Sequence, residues 1–135
     1  MILVDTGFFL ALAQPTDALH ARAVAWAKLI TGRLVLTEYV LWETVNGLSR
    51  RADRPRVTVL LNSIRGSNAY EVVPASAELL EASLQLHAQR PDKDGSLTDC
   101  ASFIVMQRRG ITTSLTPDHH FEQAGFEALL RRDPP

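Results

Sequence analysis

Short apolar runs rich in β-branched residues alternate along this chain with stretches of helical character. Ile2-Leu3-Val4 opens the series, and "RLVLT", "YEVVP" and "ITTSLT" continue it. Between them lie "ALHARAVAWAKLI", "EYVLWETVNGLSRR", "RVTVLLNSI", "AELLEASLQLHAQR" and "LTDCASFIVMQRRG". Buried strands joined through helices predict an α/β fold, a central parallel sheet with helices on both faces. In such sheets ligands enter at the carboxyl ends of the strands, where the strand order reverses.

The punctuation agrees with that alternation. Thr6 stands where it can cap a short helix, "GFFLALA". Pro15-Thr16-Asp17 restarts a helix with Leu19, Ala23, Trp26 and Ile30 at helical spacing, and Gly32 ends it. Thr37, Asp53, Ser76 and Ser96 precede the later helices as caps, with Pro55 in the first turn after Asp53. Gly66-Ser67-Asn68 is a turn, Pro91 to Gly95 a polar loop and Gly110 a helix C-cap. "DHHFEQA" reads as a short helical turn and "FEALL" as a last strand.

At 135 residues the chain is expected to form a single domain over residues 1–135 with a real core. One cysteine, Cys100, leaves no internal disulfide and no cysteine-only zinc site, and suits a reducing compartment. The first residues carry no basic leader, Asp5 interrupts the apolar stretch, and no apolar run approaches the roughly 18 residues of a membrane span. A cytoplasmic protein without a membrane partner is expected. A net charge of −1 and a pI near 6.4 argue against coating nucleic acid by bulk charge. They leave room for a nucleic-acid enzyme whose clustered acids are neutralised locally by metal.

The acids give that possibility its content. Asp5 ends the first strand and Asp118 follows the fourth; Glu43 lies on the helix after the second strand, near its apolar face, and Asp99 lies in the first turn before "CASFIV". Each has a plain structural reading. Asp5 and Asp118 can cap the helices that follow, and Ser96-Leu97-Thr98-Asp99 matches a capping box. Glu43 is harder to dismiss, because no lysine or arginine stands three or four residues away on its helix. Carboxylates gathered in one crevice repel each other unless a cation holds them ionised, and hard oxygen ligands select Mg²⁺ or Mn²⁺.

Four stretches carry a resemblance to a known family: "ILVDTGFFLAL", "TEYVLWETVNGL", "DKDGSLTDCASFIVMQRRGI" and "SLTPDHHFEQAGFEALL". Together they span nearly the whole chain, which resembles the PIN-domain proteins, specifically the VapC-type toxin ribonucleases. The resemblance implies a PIN-like three-layer α/β/α sandwich. It implies that Asp5, Glu43, Asp99 and Asp118 are the catalytic and metal-binding quartet, with Thr6 a supporting hydroxyl on the substrate side. It further implies a Mg²⁺-dependent endoribonuclease (Mn²⁺ also serving), a homodimer, and silencing by a small antitoxin protein of the VapB kind. Two other readings stand beside it: a non-catalytic PIN-like binding module, and a receiver-like signalling domain. A receiver domain expects paired acids after its first strand, whereas Asp5 is single.

The remaining polar features have plainer readings. His119-His120 invites a metal reading, but adjacent histidines in a helical turn are expected to diverge. Cys100 reads as core. Arg50 and Arg51 are solvated helix-end residues that can also hold RNA phosphates. "FFLALA" and "AVAWAKLI" are expected to offer apolar surface beyond one small core, toward a dimer or an antitoxin.

Overall fold

A computed structural model of the chain describes residues 1–91 and 93–135; Asp92, within the expected polar loop, lies outside the described residues. The elements in chain order are β1 (Ile2–Val4), α1 (Thr6–Ala13), α2 (His20–Leu29), β2 (Leu34–Thr37), α3 (Glu38–Gly47), α4 (Arg54–Gly66), β3 (Tyr70–Val73), α5 (Ala77–Ala88), α6 (Leu97–Arg109), β4 (Thr113–Leu115), α7 (His119–Gln123) and β5 (Glu127–Ala128), followed by a 3₁₀ turn at Leu129–Arg131. The strands form one sheet in the order β3-β2-β1-β4-β5 with every pairing parallel. Leu3 registers with Val35 on one side and Ser114 on the other.

The two faces follow from the period of two along a strand. Val4, Leu36 and Leu115 turn to one side, where Phe8, Phe9, Trp26, Val40, Leu41 and Ile64 cover them. Leu3 and Val35 turn to the other, against Leu79, Phe103, Met106 and Phe121. These are the two apolar seams of the three-layer α/β/α sandwich. Each fully buried side chain such as Phe8, Phe103 or Phe121 contributes about 1.5–3 kcal/mol relative to exposure. Cys100 is buried, as expected of a core residue. Among the described residues no helix is long and apolar enough to cross a membrane.

Local signals set most element boundaries. Thr37 Oγ1 accepts from the Val40 amide at 3.1 Å, Ser76 Oγ from Leu79 at 3.0 Å, and Ser96 Oγ from Asp99 at 3.1 Å. Gly110 closes α6 in the left-handed conformation, φ 65°.

Several expectations need correction. Thr6 is the first residue of α1 rather than its cap; Asp5 holds the cap position, yet its carboxylate makes no capping bond. Asp53 precedes α4 but pairs with Arg56 at 2.8 Å instead of capping, because its own backbone is already helical (φ −92°, ψ −18°). The α2 helix begins only at His20, since Asp17 turns back to accept the Leu19 amide at 2.8 Å. The last strand is two residues long and gives way to the 3₁₀ turn. The expected apolar surface is also mostly withdrawn, with Leu29 the large apolar side chain of those two segments that stays exposed. Phe8, Phe9, Ala11, Ala23 and Trp26 are buried in this chain's own core, and the most exposed large apolar side chains on helices are Trp42 and Val59.

Candidate active site

The chain passes from β1 outward to β2 and β3, then returns to the other side of β1 for β4 and β5. The order therefore reverses between β1 and β4, and a crevice opens at their carboxyl ends. Asp5 is the first residue past β1 and its amide donates to Leu115 O at 3.1 Å, which fixes it against the end of β4. Its carboxylate is free of capping duty because it faces across the sheet, where the Thr116 hydroxyl donates to Asp5 Oδ2 at 2.8 Å. The same Thr116 oxygen accepts from the Asp118 amide at 3.1 Å. One hydroxyl thus ties the acid after β1 to the acid after β4.

Asp99 reaches the crevice from the first turn of α6. Its Oδ2 accepts from the Ser96 amide at 3.2 Å, completing a capping box, while its side chain stays only 5% exposed beside the other acids. Glu43 is half-buried on α3 and lines the same open groove as Thr98, the neighbour of Asp99. Asp118 is half-buried and caps α7, its Oδ1 accepting from the His120 amide at 2.9 Å.

The electrostatics register this convergence. Burial, then the negative charge of Asp99 and more weakly that of Glu43, push the Asp5 carboxyl up to about 7, against the opposing pull of the Thr116 hydroxyl and the Thr6 amide. Burial and the charges of Asp118 and Glu43 raise Asp99 to about 6, while the Ser96 amide and His120 oppose the rise. All four expected acids therefore lie within electrostatic reach of at least one other. Buried, mutually repelling carboxylates with hard oxygen donors suit a divalent cation, which would relieve the repulsion and the desolvation together.

Not every expected residue joins this group in the same way. The hydroxyl that holds Asp5 belongs to Thr116, which the sequence reading missed; the signal available was a threonine two residues before Asp118 at a strand end. Thr6 touches Asp5 through its amide, and its Oγ1 is buried with no hydrogen-bond partner among the described residues. Arg50 and Arg51 are exposed past the C-terminal end of α3. His119 and His120 do not diverge: their rings lie 4.3 Å apart between centroids, and both turn Nδ1 toward Asp118. The turn leading into α7 is held from beneath as well. A Cβ added to Gly7 would lie 2.7 Å from Pro117 Cδ, so only glycine lets α1 approach the segment that carries Asp118.

The sequence profile of the PIN domain matches residues 2–127. The chain belongs to the PIN-domain family. This PIN domain is 35% identical over 128 residues to the 23S rRNA-specific endonuclease VapC20 of Mycobacterium tuberculosis, across 93% of this chain and 95% of the relative. The crystal structure of VapC20, described as a sarcin-ricin loop cleaving toxin, matches it with a TM-score of 0.86 and 29% identity, over 93% of this chain and 96% of that one. FitAcB from Neisseria gonorrhoeae shares the fold at a TM-score of 0.68 and 19% identity, with 95% of each chain covered. The structure of FitAB bound to an IR36 DNA fragment matches at 0.73 and 17%, with 99% of each chain covered.

Proposed function

We propose that this PIN domain is a divalent-metal-dependent endoribonuclease of the VapC toxin kind, with Asp5, Glu43, Asp99 and Asp118 as its catalytic acids. The observation that carries the reading is Asp5, a buried carboxylate placed at the reversal of strand order against a second buried acid, Asp99. A non-catalytic module has no reason to keep two such groups together, because each makes the other costlier to bury. In this reading Asp5 and Asp99 hold Mg²⁺ (Mn²⁺ also serving), with Glu43 and Asp118 as direct ligands or through water. Such an ion supplies a more acidic bound water and stabilises charge developing on a phosphodiester in hydrolysis.

The protein's own residues do the positioning. Thr116 holds Asp5 and, through the Asp118 amide, fixes the spacing of the two strand-end acids. The capping box holds Asp99 in one orientation. The unpartnered Thr6 hydroxyl is assigned a supporting contact on the substrate side, and exposed Arg50 and Arg51 a phosphate contact with RNA beyond the crevice. VapC20 is named for cleavage of 23S rRNA, so the sarcin-ricin loop is the first substrate to test here. We assign as partners a small VapB-like antitoxin and a second copy of the chain; Trp42, 74% exposed, and Val59, 71% exposed, give them apolar surface.

The test is cleavage of a sarcin-ricin loop RNA by the purified chain. Cleavage is expected with Mg²⁺ or Mn²⁺, is expected to stop in excess chelator, and is expected to be absent in folded Asp5→Asn. Cleavage that persists unchanged in excess chelator overturns the metal-dependent reading.

A further inference from the structure

At the rim of the crevice the four-acid cluster acquires nitrogen. Asp118, His119 and His120 are consecutive, and one ligand atom from each lies within 4.8 Å of the other two. His120 Nδ1 stands 2.7 Å from Asp118 Oδ1, and His119 Nδ1 stands 3.7 Å from the same oxygen. Ligands about 2.0–2.2 Å from a common zinc ion are themselves about 3–4 Å apart, so side-chain adjustments of about 1 Å bring these three atoms to share one.

Three further observations favour an ion over a simple ion pair. His120 Nδ1 is buried, and despite its short distance to Asp118 it makes no aligned hydrogen bond among the described residues. Two imidazoles turn the same ring nitrogen toward one carboxylate oxygen, which gathers two nitrogen donors and one oxygen donor about one point. The carboxylate is also held in place, since its Oδ1 accepts from the His120 amide and its own amide donates to Thr116. Nearby, a Cβ on Gly95 would lie 3.9 Å from Asp99 Oδ2 and 4.0 Å from His120 Cβ, so a further carboxylate flanks the same glycine as His120.

We propose that Asp118, His119 and His120 form a mixed nitrogen-oxygen site for a borderline transition ion of the Zn²⁺ class, chemically distinct through its two imidazoles from the all-oxygen group of Asp5, Glu43, Asp99 and Asp118. Imidazole suits Zn²⁺ and Co²⁺, whereas Mg²⁺ prefers carboxylate, carbonyl and water oxygens. The two ends of the crevice therefore select different ions. The site shares Asp118 with the proposed nuclease centre but does not depend on cleavage of RNA, and its test reads binding.

The experiment titrates the full chain with Co²⁺, a spectroscopic stand-in for Zn²⁺, and follows its visible absorption in excess Mg²⁺. The wild type is expected to develop a saturable band that Zn²⁺ displaces and Mg²⁺ does not. His120→Ala is expected to lose the band, and His119→Ala, at an exposed position, to weaken Co²⁺ binding at least tenfold. In the wild-type protein, where folding of a variant is not at issue, Zn²⁺ is expected to shift the ring ¹⁵N resonances of His119 and His120 while His20 and His87 stay in place. A Co²⁺ band unaffected by both histidine substitutions overturns the proposal. So do His119 and His120 resonances that do not respond to Zn²⁺.

Discussion

Thr116 is the residue on which the geometry of the crevice turns. Its hydroxyl donates to Asp5 and accepts from the Asp118 amide, so removing it leaves one buried carboxylate less stabilised and one amide unpaired. Thr116→Val is expected to cost about 1–3 kcal/mol of stability and to lower RNA cleavage sharply, with Thr116→Ser restoring both. Thermal melts and cleavage assays check this, and a valine variant that melts and cuts like wild type would refute it. Asp99 carries two duties, the capping box and the acidic crevice, and they predict opposite effects of metal. The lost charge near the helix N-terminus costs about 0.3–1 kcal/mol with or without an ion. Relief of repulsion from Asp5 and Asp118 offsets that cost only in the metal-free protein. Asp99→Asn is therefore expected to match or exceed wild-type stability in chelator. It should lose most of the stabilisation by Mg²⁺, which for wild type is about 2.7 kcal/mol at a hundred times Kd. Equal destabilisation in both conditions would reduce Asp99 to a cap.

At the scale of elements, two glycines look alike in sequence and differ in what surrounds them. A Cβ on Gly7 would meet Pro117 ring carbons at 2.7 and 2.8 Å, and Pro117 is a rigid neighbour directly before Asp118. A Cβ on Gly47 would meet Leu10 Cδ2 at 2.9 Å, the far end of a flexible side chain that can rotate away. Gly7→Ala is expected to destabilise by about 1–3 kcal/mol through overpacking and to impair cleavage, because α1 and the segment leading to α7 are forced apart. Gly47→Ala is expected to lie within about 1 kcal/mol of wild type, since relief of glycine's helix penalty offsets the repacking of Leu10. Paired melting curves decide it, and a Gly7→Ala protein as stable as Gly47→Ala would show that the α1–Pro117 contact yields freely.

For the whole molecule the raised carboxyls of Asp5 and Asp99 set a pH dependence of definite sign. Between the unfolded value of 3.8 and the folded values of about 6 and about 7, the native state binds more protons than the unfolded chain. Stability therefore falls as pH rises through that window and levels off above it. The metal-free protein is expected to be more stable at pH 5 than at pH 8 as far as these two groups decide. A divalent cation should reverse the slope, because its binding expels those protons and tightens as pH rises. Denaturation at both pH values, with chelator and with Mg²⁺, checks it; a metal-free stability that rises from pH 5 to pH 8 contradicts the assignment of these two acids as the dominant buried pair.

The alternation of apolar runs and helical stretches was enough to specify a parallel α/β sheet, and Thr37, Ser76, Ser96 and Gly110 marked helix ends correctly. Those signals are local: a cap bonds an amide about three residues away, and strand periodicity needs no partner from elsewhere in the chain. The four acids could be singled out for the same reason: Asp5 and Asp118 stand just past strand ends, Glu43 lies near the apolar face of its helix with no cation three or four residues away, and Asp99 lies in a helix's first turn. Their convergence was decided by the reversal of strand order between β1 and β4, which sets residues far apart in sequence side by side. Tertiary packing likewise chose Thr116 over Thr6 as the hydroxyl on Asp5 and buried Phe8, Phe9 and Ala11 in the chain's own core. Each of these is a competition among partners for one group, settled by distances that exist only once the layers have packed.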